Sequence, residues 1–452
     1  MLFGSPLPED YPLLPAIPTW GGAYYCAPGH GGGNFFRANG TRHAPLVRVA
    51  HAVNVTLTGG GEINGNGAAW WRRCRDLGTD ADRPHLVQIE NSTGIVVGGG
   101  LVMNQTPSWM LHILLTERVV VQNISLLNHD TSHGPSFNAD GVDIDSSREV
   151  HIYNVTIASG DDPIALKSGI DDAGWLLRRP TENVLIENVT ILSGHGITLG
   201  SEMSGGLRNI TIRNIDARNL SSGVYLKSRR GRGDHPVEDI LYENLTFRDV
   251  GLPVHINMWY FCQACDVCAE CHKRGSEAST PVVRNITIRN VVATGSRHAG
   301  LICGLPESPA QGLRLENIRL RGDGGSPVAW QACGNARGTA AGVEPAVPCL
   351  DGPFAPRECP SDQACAPEVV CRIAADAATR PPLPARGPVL VPAAPPPASL
   401  ASPALASAAA AAATLGGVIW VVYSRCARVA TLWREGRAII LQNAAVETKQ
   451  VA

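Results

Sequence analysis

Between positions 46 and 321 apolar and polar residues alternate in short runs of four to six, and the runs recur along the chain. Copies fall at 53–57, 94–97, 119–126, 150–157, 184–191, 207–212, 240–247, 283–288 and 313–320. A period of two, with Val, Ile and Thr at alternate positions, marks strands with one buried face. No stretch here keeps the 3.6-residue period of a helix. Many copies open on one phrase, an Asn followed by a β-branched run: Asn154-Val-Thr-Ile, Asn188-Val-Thr-Ile, Asn209-Ile-Thr-Ile. Asn123, Asn154, Asn188, Asn209, Asn244, Asn285 and Asn317 stand 31, 34, 21, 35, 41 and 32 residues apart. Such a period calls for a stack of repeats. The pattern predicts an all-β parallel β-helix, with Val and Ile inside and Asn at bends bonding to the next coil. A β-sandwich is the alternative, but gives no reason for Asn at one turn position.

Flanking segments differ in texture. Residues 1–45 are rich in Pro and Gly and are expected to be an irregular cover over the first coil, with a disordered tail as the competing reading of 1–20. The solenoid is assigned 46–321, interrupted by a Cys-rich insert at 262–272. Residues 322–372 form a Cys-rich segment, without clear strands from 333 on. Residues 373–403 form a Pro/Ala-rich linker, and 424–452 a short basic tail. Between these two, 404–423 carries no charge and is long enough to cross a bilayer. The arginines that follow suit a cytoplasmic side, so a single-span anchor is expected there. An Ala-rich surface helix is the other reading.

Composition narrows the function. A net charge of −2 over 452 residues gives no electrostatic reason to expect nucleic acid. Forty-eight glycines suit many tight turns. Thirteen cysteines and eleven Asn-x-Ser/Thr sequons favour the secretory route. No signal peptide is visible, because Met1-Leu2-Phe3 runs at once into Gly4-Ser5-Pro6 and Glu9-Asp10. An extracellular or wall-facing protein with an incomplete N-terminus is expected. Cys262, Cys265, Cys268 and Cys271 would suit Zn²⁺ or an iron–sulfur cluster in a reducing compartment; disulfides are preferred here.

Candidate chemistry lies in 138–227. Asn138-Ala-Asp140-Gly, Gly160-Asp161-Asp162-Pro, Gly194-His195-Gly196 and Tyr225-Leu-Lys227 fall at coil-like offsets. Stacked strands lie about 4.8 Å apart, so these side chains would form one patch. Three carboxylates at one place suit glycosidic hydrolysis, where one donates a proton to the leaving oxygen and another activates water. Adjacent Asp161 and Asp162 raise each other's proton affinity. Taken singly, Gly-Asp-Asp-Pro is an ordinary turn, and His195 and Lys227 are unremarkable. Lys227 and the arginines after it, Arg229 among them, suit a polyanionic carbohydrate.

With these motifs in order, the sequence resembles glycoside hydrolase family 28, the polygalacturonases and related pectin hydrolases. Ser5-Pro-Leu-Pro-Glu-Asp-Tyr-Pro12, the Gly61 to Gly67 stretch with Trp70-Trp71, and Gly200-Ser-Glu-Met-Ser-Gly-Gly206 resemble its plant-type branch. The resemblance spans about 5–320. It implies a right-handed parallel β-helix and hydrolysis of galacturonosyl bonds with inversion, without metal or cofactor, on a pectic polysaccharide, by a monomer. By position, Asp161 would be the general acid, Asp140 and Asp162 would hold and deprotonate water, and His195 would support the acid. Lys227 would bind a substrate carboxylate and Asn138 would shape the cleft. In inverting enzymes acid and base stand roughly 6.5–9.5 Å apart, and the same spacing is expected here.

Two positions depart from the family pattern. Ala139 replaces a Thr, a mild change. Tyr225 replaces an arginine, and a phenol cannot form the bidentate pair that a guanidinium makes with a uronate. The departure puts homogalacturonan specificity in question and leaves rhamnogalacturonan or xylogalacturonan as related substrates. Arg229 or a neighbour is the expected compensation. A silent β-helix that binds wall polysaccharide is the second functional class. A pectate lyase is the third, which would need Ca²⁺ ligands and an arginine base.

Overall fold

The computed structural model describes residues 1–20, 41–77, 83–128, 136, 138–260 and 280–350, with the backbone of three later strands, Val421–Val422, Val429–Arg434 and Arg437–Gln442. The cysteines at 262–271 and the linker lie outside the described residues, as does the expected anchor up to 420. Among the described residues no helix is long and apolar enough to cross a membrane.

Strands pair in parallel from coil to coil as a right-handed β-helix. Three apolar columns fill its interior. Ile144, Leu166, Leu199, Leu226, Ile256 and Ile302 stack in register on one sheet. Val121, Ile152, Ile186, Ile212, Tyr242 and Ile288 stack on the second. Leu126, Ile157, Ile191, Ala217, Phe247 and Ala293 stack on the third. All are essentially buried, and each large aliphatic side chain so placed contributes about 1.5–3 kcal/mol. Alternation fixes the register, since a slip of one residue would turn a whole column outward.

The asparagines sort into two ladders instead of one. Asn214 bonds Asn188 at 3.2 Å, Asn244 bonds Asn214 at 3.1 Å, Asn290 bonds Asn244 at 3.0 Å and Asn317 bonds Asn290 at 3.3 Å. Asn209 and Asn285 belong elsewhere. Asn209 bonds Asn183 at 2.7 Å and Asn285 bonds Asp239 at 3.2 Å. The repeated phrase marks two bends of each coil, so the single spacing series drawn from the sequence mixes them. All of these bend residues have φ near +55°, where Asn is tolerated and β-branched residues are not.

Both ends hold more order than the sequence pattern suggests. Leu2–Phe3 pairs with Glu62–Asn64, and Leu13–Pro15 pairs antiparallel with Thr41–His43. Tyr11 packs edge-on to Trp70 at 5.6 Å, and Trp20 is buried against Trp109 at 5.4 Å. Aromatic anchoring, invisible to a two-residue period, is why 1–20 is not a loose tail. Downstream, the solenoid does not end at 321. Trp330–Gly334 and Ala336–Glu344 continue the parallel ladders, and Cys333 is bridged to Cys349. Gly and Ala dominate the last strand, so the usual β-branched signal is missing there. The three late strands lie antiparallel to one another or to the first coil, at Val47–Ala50 and Val53–Thr58.

Candidate active site

Asp140, Asp161, Asp162 and His195 stand on bends that precede one sheet, and Tyr225 and Lys227 lie at the end of one of its strands. Its strands are Leu111–Leu114, Val142–Asp145, Ile164–Lys167 and Ile197–Gly200, followed by the last residues of Leu207–Lys227 and Pro236–Asn257. Backbone bonds tie the bends together. Gly141 N donates to Asp162 O at 2.9 Å, His195 N to Asp161 O at 2.7 Å and Ser222 N to His195 O at 2.6 Å. Close approach is needed here: a Cβ on Gly160 would sit 1.8 Å from Ser136 Oγ, and one on Gly194 2.5 Å from the Pro163 ring.

The predicted groups do come together. His195 Nδ1 lies 2.9 Å from Asp161 Oδ1, and Lys227 Nζ donates to Asp162 Oδ2 at 2.6 Å. Asn138 contributes through its backbone, whose N–H donates to Asp161 Oδ2 at 3.2 Å. Asp140 is reached by Lys167, whose Nζ stands 3.9 Å from Asp140 Oδ2, 3.5 Å from Asp143 Oδ1 and 2.8 Å from Glu202 Oε2. Lys167 also lies 4.6 Å over the Trp109 ring.

Arg229 does not join them. Its guanidinium is turned to Asp171 at 3.6 Å, beside Arg232, which holds the same carboxylate at 2.8 Å, and Arg230 chelates Glu307. Tyr225 lies in the patch, stacked on His255 with centroids 4.2 Å apart. Asp143, Lys167, Glu202 and His255 were not anticipated. The first had a signal, because in Val142-Asp-Ile-Asp the two acids occupy the outward positions of a strand whose inward positions are core.

Burial opposes charge throughout, and neighbours decide the outcome. Burial pushes the Asp140 carboxyl well above its usual range, with Asp143 and Asp161 adding repulsion. Asp143 is pushed up by burial too, although Lys167 opposes this. For Asp161 burial is outweighed by His195, Lys227 and Lys167, which hold it well below the usual carboxylate range. Asp161 in turn raises His195 above an ordinary imidazole. Both lysines keep their protons against burial because carboxylates face them, chiefly Glu202 for Lys167 and Asp162 for Lys227. The free site therefore favours the charged pair, with Asp161 ionised and the half-exposed His195 holding its proton more tightly than an ordinary imidazole.

Asp161, Asp162 and His195 offer three donor atoms within 4.8 Å of one another. An ammonium already contacts Asp162 and the imidazole nitrogen already engages Asp161, so the cluster is built as internal ion pairs. The same figure departs from the expected 6.5–9.5 Å spacing. Asp161 and Asp162 are consecutive in one bend, which brings their oxygens closer than carboxylates on opposite walls.

Against known families, residues 34–342 match the model for glycosyl hydrolases family 28. The chain belongs to this family. Among curated family 28 relatives, a probable polygalacturonase of Vitis vinifera is 28% identical over 345 residues, covering 75% of this chain and 65% of that protein. A polygalacturonase of Cryptomeria japonica is 28% identical over 286 residues, covering 61% of this chain and 51% of that protein. The chain thus spans less than two thirds of either relative. Two solved structures share the fold. A hyperthermoactive exopolygalacturonase from Thermotoga maritima has TM-score 0.56 at 24% identity, covering 71% of this chain and 73% of its own. A polygalacturonase from Erwinia carotovora has TM-score 0.52 at 20% identity, covering 70% and 79%.

Proposed function

We propose that this family 28 chain hydrolyses α-1,4-galacturonosyl bonds of pectin, with Asp161 as general acid and with Asp140 and Asp162 holding the attacking water. The observation that carries the reading is the pair of contacts from different coils, Asp161 to His195 and Asp162 to Lys227. Residues 34 and 65 positions apart in sequence meet at hydrogen-bond distance, an arrangement that folding alone does not require.

The acid needs its proton on Asp161, whereas the free site keeps it on His195. His195 is 49% exposed, and a sugar seated against it would expel that water. Desolvation penalises an ion pair more than the neutral pair, so the proton moves from Nδ1 to Asp161 Oδ1 as substrate binds. Asp161 then protonates the glycosidic oxygen. Water held between Asp140 and Asp162 attacks the anomeric carbon and gives up its proton to Asp162, the carboxylate paired with Lys227. Asp140, buried beside Asp143, orients the water. Lys167 anchors this acidic group from behind.

A carboxylate spacing below 5 Å is commonly the mark of retention, and here the reading departs from that rule. The close oxygens belong to consecutive residues of one bend; inversion requires that Asp161 face the leaving oxygen while Asp162 and Asp140 hold the water on the opposite face of the anomeric carbon. We place the enzyme outside the cytosol, in keeping with the Cys333–Cys349 bridge. The test is direct. Purified protein should release reducing ends from pectic polymers without generating the ultraviolet absorbance of unsaturated products. Unsaturated products would identify a lyase and end the proposal.

A further inference from the structure

Lys227, His195 and Lys167 give their shortest contacts to Asp162, Asp161 and Glu202, at 2.6, 2.9 and 2.8 Å. Asp143 and Asp140 receive only longer contacts from Lys167, at 3.5 and 3.9 Å. Among the described residues, Asp140 Oδ1 and both oxygens of Asp143 make no hydrogen bond. Exposure is 3% at Asp140 and nil at Asp143. Strand register sets Asp143 between His112 and Ala165. Neither neighbour supplies a charge, since burial holds His112 below an ordinary imidazole. The charged groups that face Asp143 are Lys167, Asp140, Asp162 and Glu202.

We propose that Asp143 is a positioning residue that keeps a proton on Asp140, so that Asp162 alone accepts the proton of the attacking water. This rests on the reading of the chain as a pectin hydrolase. Two buried carboxyls beside one ammonium do not both ionise readily, because the second charge is desolvated and repelled by the first. Lys167 stands nearer Asp143 and favours the charge there. Asp140 faces Asp143, Asp161 and Asp162 together, and burial with these like charges pushes it well up. A protonated carboxyl still accepts a hydrogen bond from water through its carbonyl oxygen, but has no charge with which to take the water's proton. In the reaction the water oxygen bonds to the anomeric carbon as the glycosidic bond breaks. Asp161 gives its proton to the leaving oxygen, Asp162 takes one from the water, and Asp140 ends as it began.

The experiment follows the aspartate carboxyl carbons of the full chain, labelled with carbon-13, by NMR against pH. The Asp140 signal is identified by its loss in Asp140→Asn. In the parent it should titrate at least about one pH unit above an ordinary aspartate, and in Asp143→Asn about one unit or more lower than in the parent. Titration of Asp140 in the ordinary range overturns the proposal on the parent alone, whether or not the variant folds. So does the same titration in both proteins. Activity that needs this proton is present below the raised value and lost as pH climbs through it. The alkaline limb of kcat should therefore move to lower pH in Asp143→Asn, with KM within about twofold of the parent. Asp143→Glu, which restores the charge, should bring the limb back. His195 is titrated in the same samples, so a shift of its imidazole is told apart from one at Asp140. A limb that stays put while the Asp140 signal moves overturns the catalytic role. If the parent releases no reducing ends from pectin, the functional reading falls, and the carbon titration still decides whether Asp143 keeps the proton on Asp140.

Discussion

Replacing Asp161 by Asn removes a proton donor while changing almost nothing in shape. The carboxamide oxygen can still accept the bond from Asn138 N, now 3.2 Å away. Lost are the proton for the leaving oxygen and the charge that faces His195 at 2.9 Å. General acid catalysis contributes about 10²–10⁴-fold, so kcat should fall by that factor, about 3–5 kcal/mol in the barrier, with KM changed little. His195 supplies a second signature. Its raised affinity for a proton comes first from Asp161, so activity drawing on that proton is present below the raised value and lost as pH climbs through it. In Asp161→Asn the imidazole, followed by NMR, should titrate at lower pH than in the parent. Adding His195→Ala to Asp161→Asn should cost little more, because the two side chains share one proton and act as a unit. A variant that keeps more than a tenth of the parent kcat would refute the assignment. So would losses that multiply in the double variant.

Further predictions bear on the site and its scaffold. Lys227→Met leaves the Asp162 carboxylate buried without its partner; exposure there is 1%. About 3–5 kcal/mol of stability should be lost, read as a lower denaturation midpoint and largely recovered in Lys227→Met/Asp162→Asn. Asn214→Ala places a Cβ-bearing residue at φ 55° without the side-chain bond. It should cost about 1–2 kcal/mol, whereas Asn214→Gly should lose less because glycine accepts that conformation. The first product seen by proton NMR should be the β anomer, and an α anomer would overturn inversion.

The solenoid was legible because its cause is local. Each strand writes its own period of two, and many bends advertise themselves with an Asn, which the structure places at positive φ. Asp140, Asp161, Asp162, His195 and Lys227 could be grouped because coil length converts sequence offset into position. Hidden was whatever depends on which side chain answers which. Arg229 looked like a substitute cation until Asp171 claimed it. Lys167 has no signal in the sequence, yet three carboxylates converge on it in the fold. Partner choice among charges is settled in three dimensions, and no spacing rule reaches it. The order within the N-terminal cover was hidden for a related reason: Trp20 is fixed by its bond to Asp145 at 2.8 Å, across 125 residues.

In the ladder from Asn188 to Asn317, neighbouring rungs are separated by 26, 30, 46 and 27 residues. The longest excursion leaves the rung geometry as it was, so chain can be added between bends without disturbing the stack. A lineage built this way could vary the banks of its groove freely while the bed stays fixed, much as a riverside is rebuilt over an unchanged channel. New polymers would then be met by editing loops, and the hydrolytic centre would be inherited untouched.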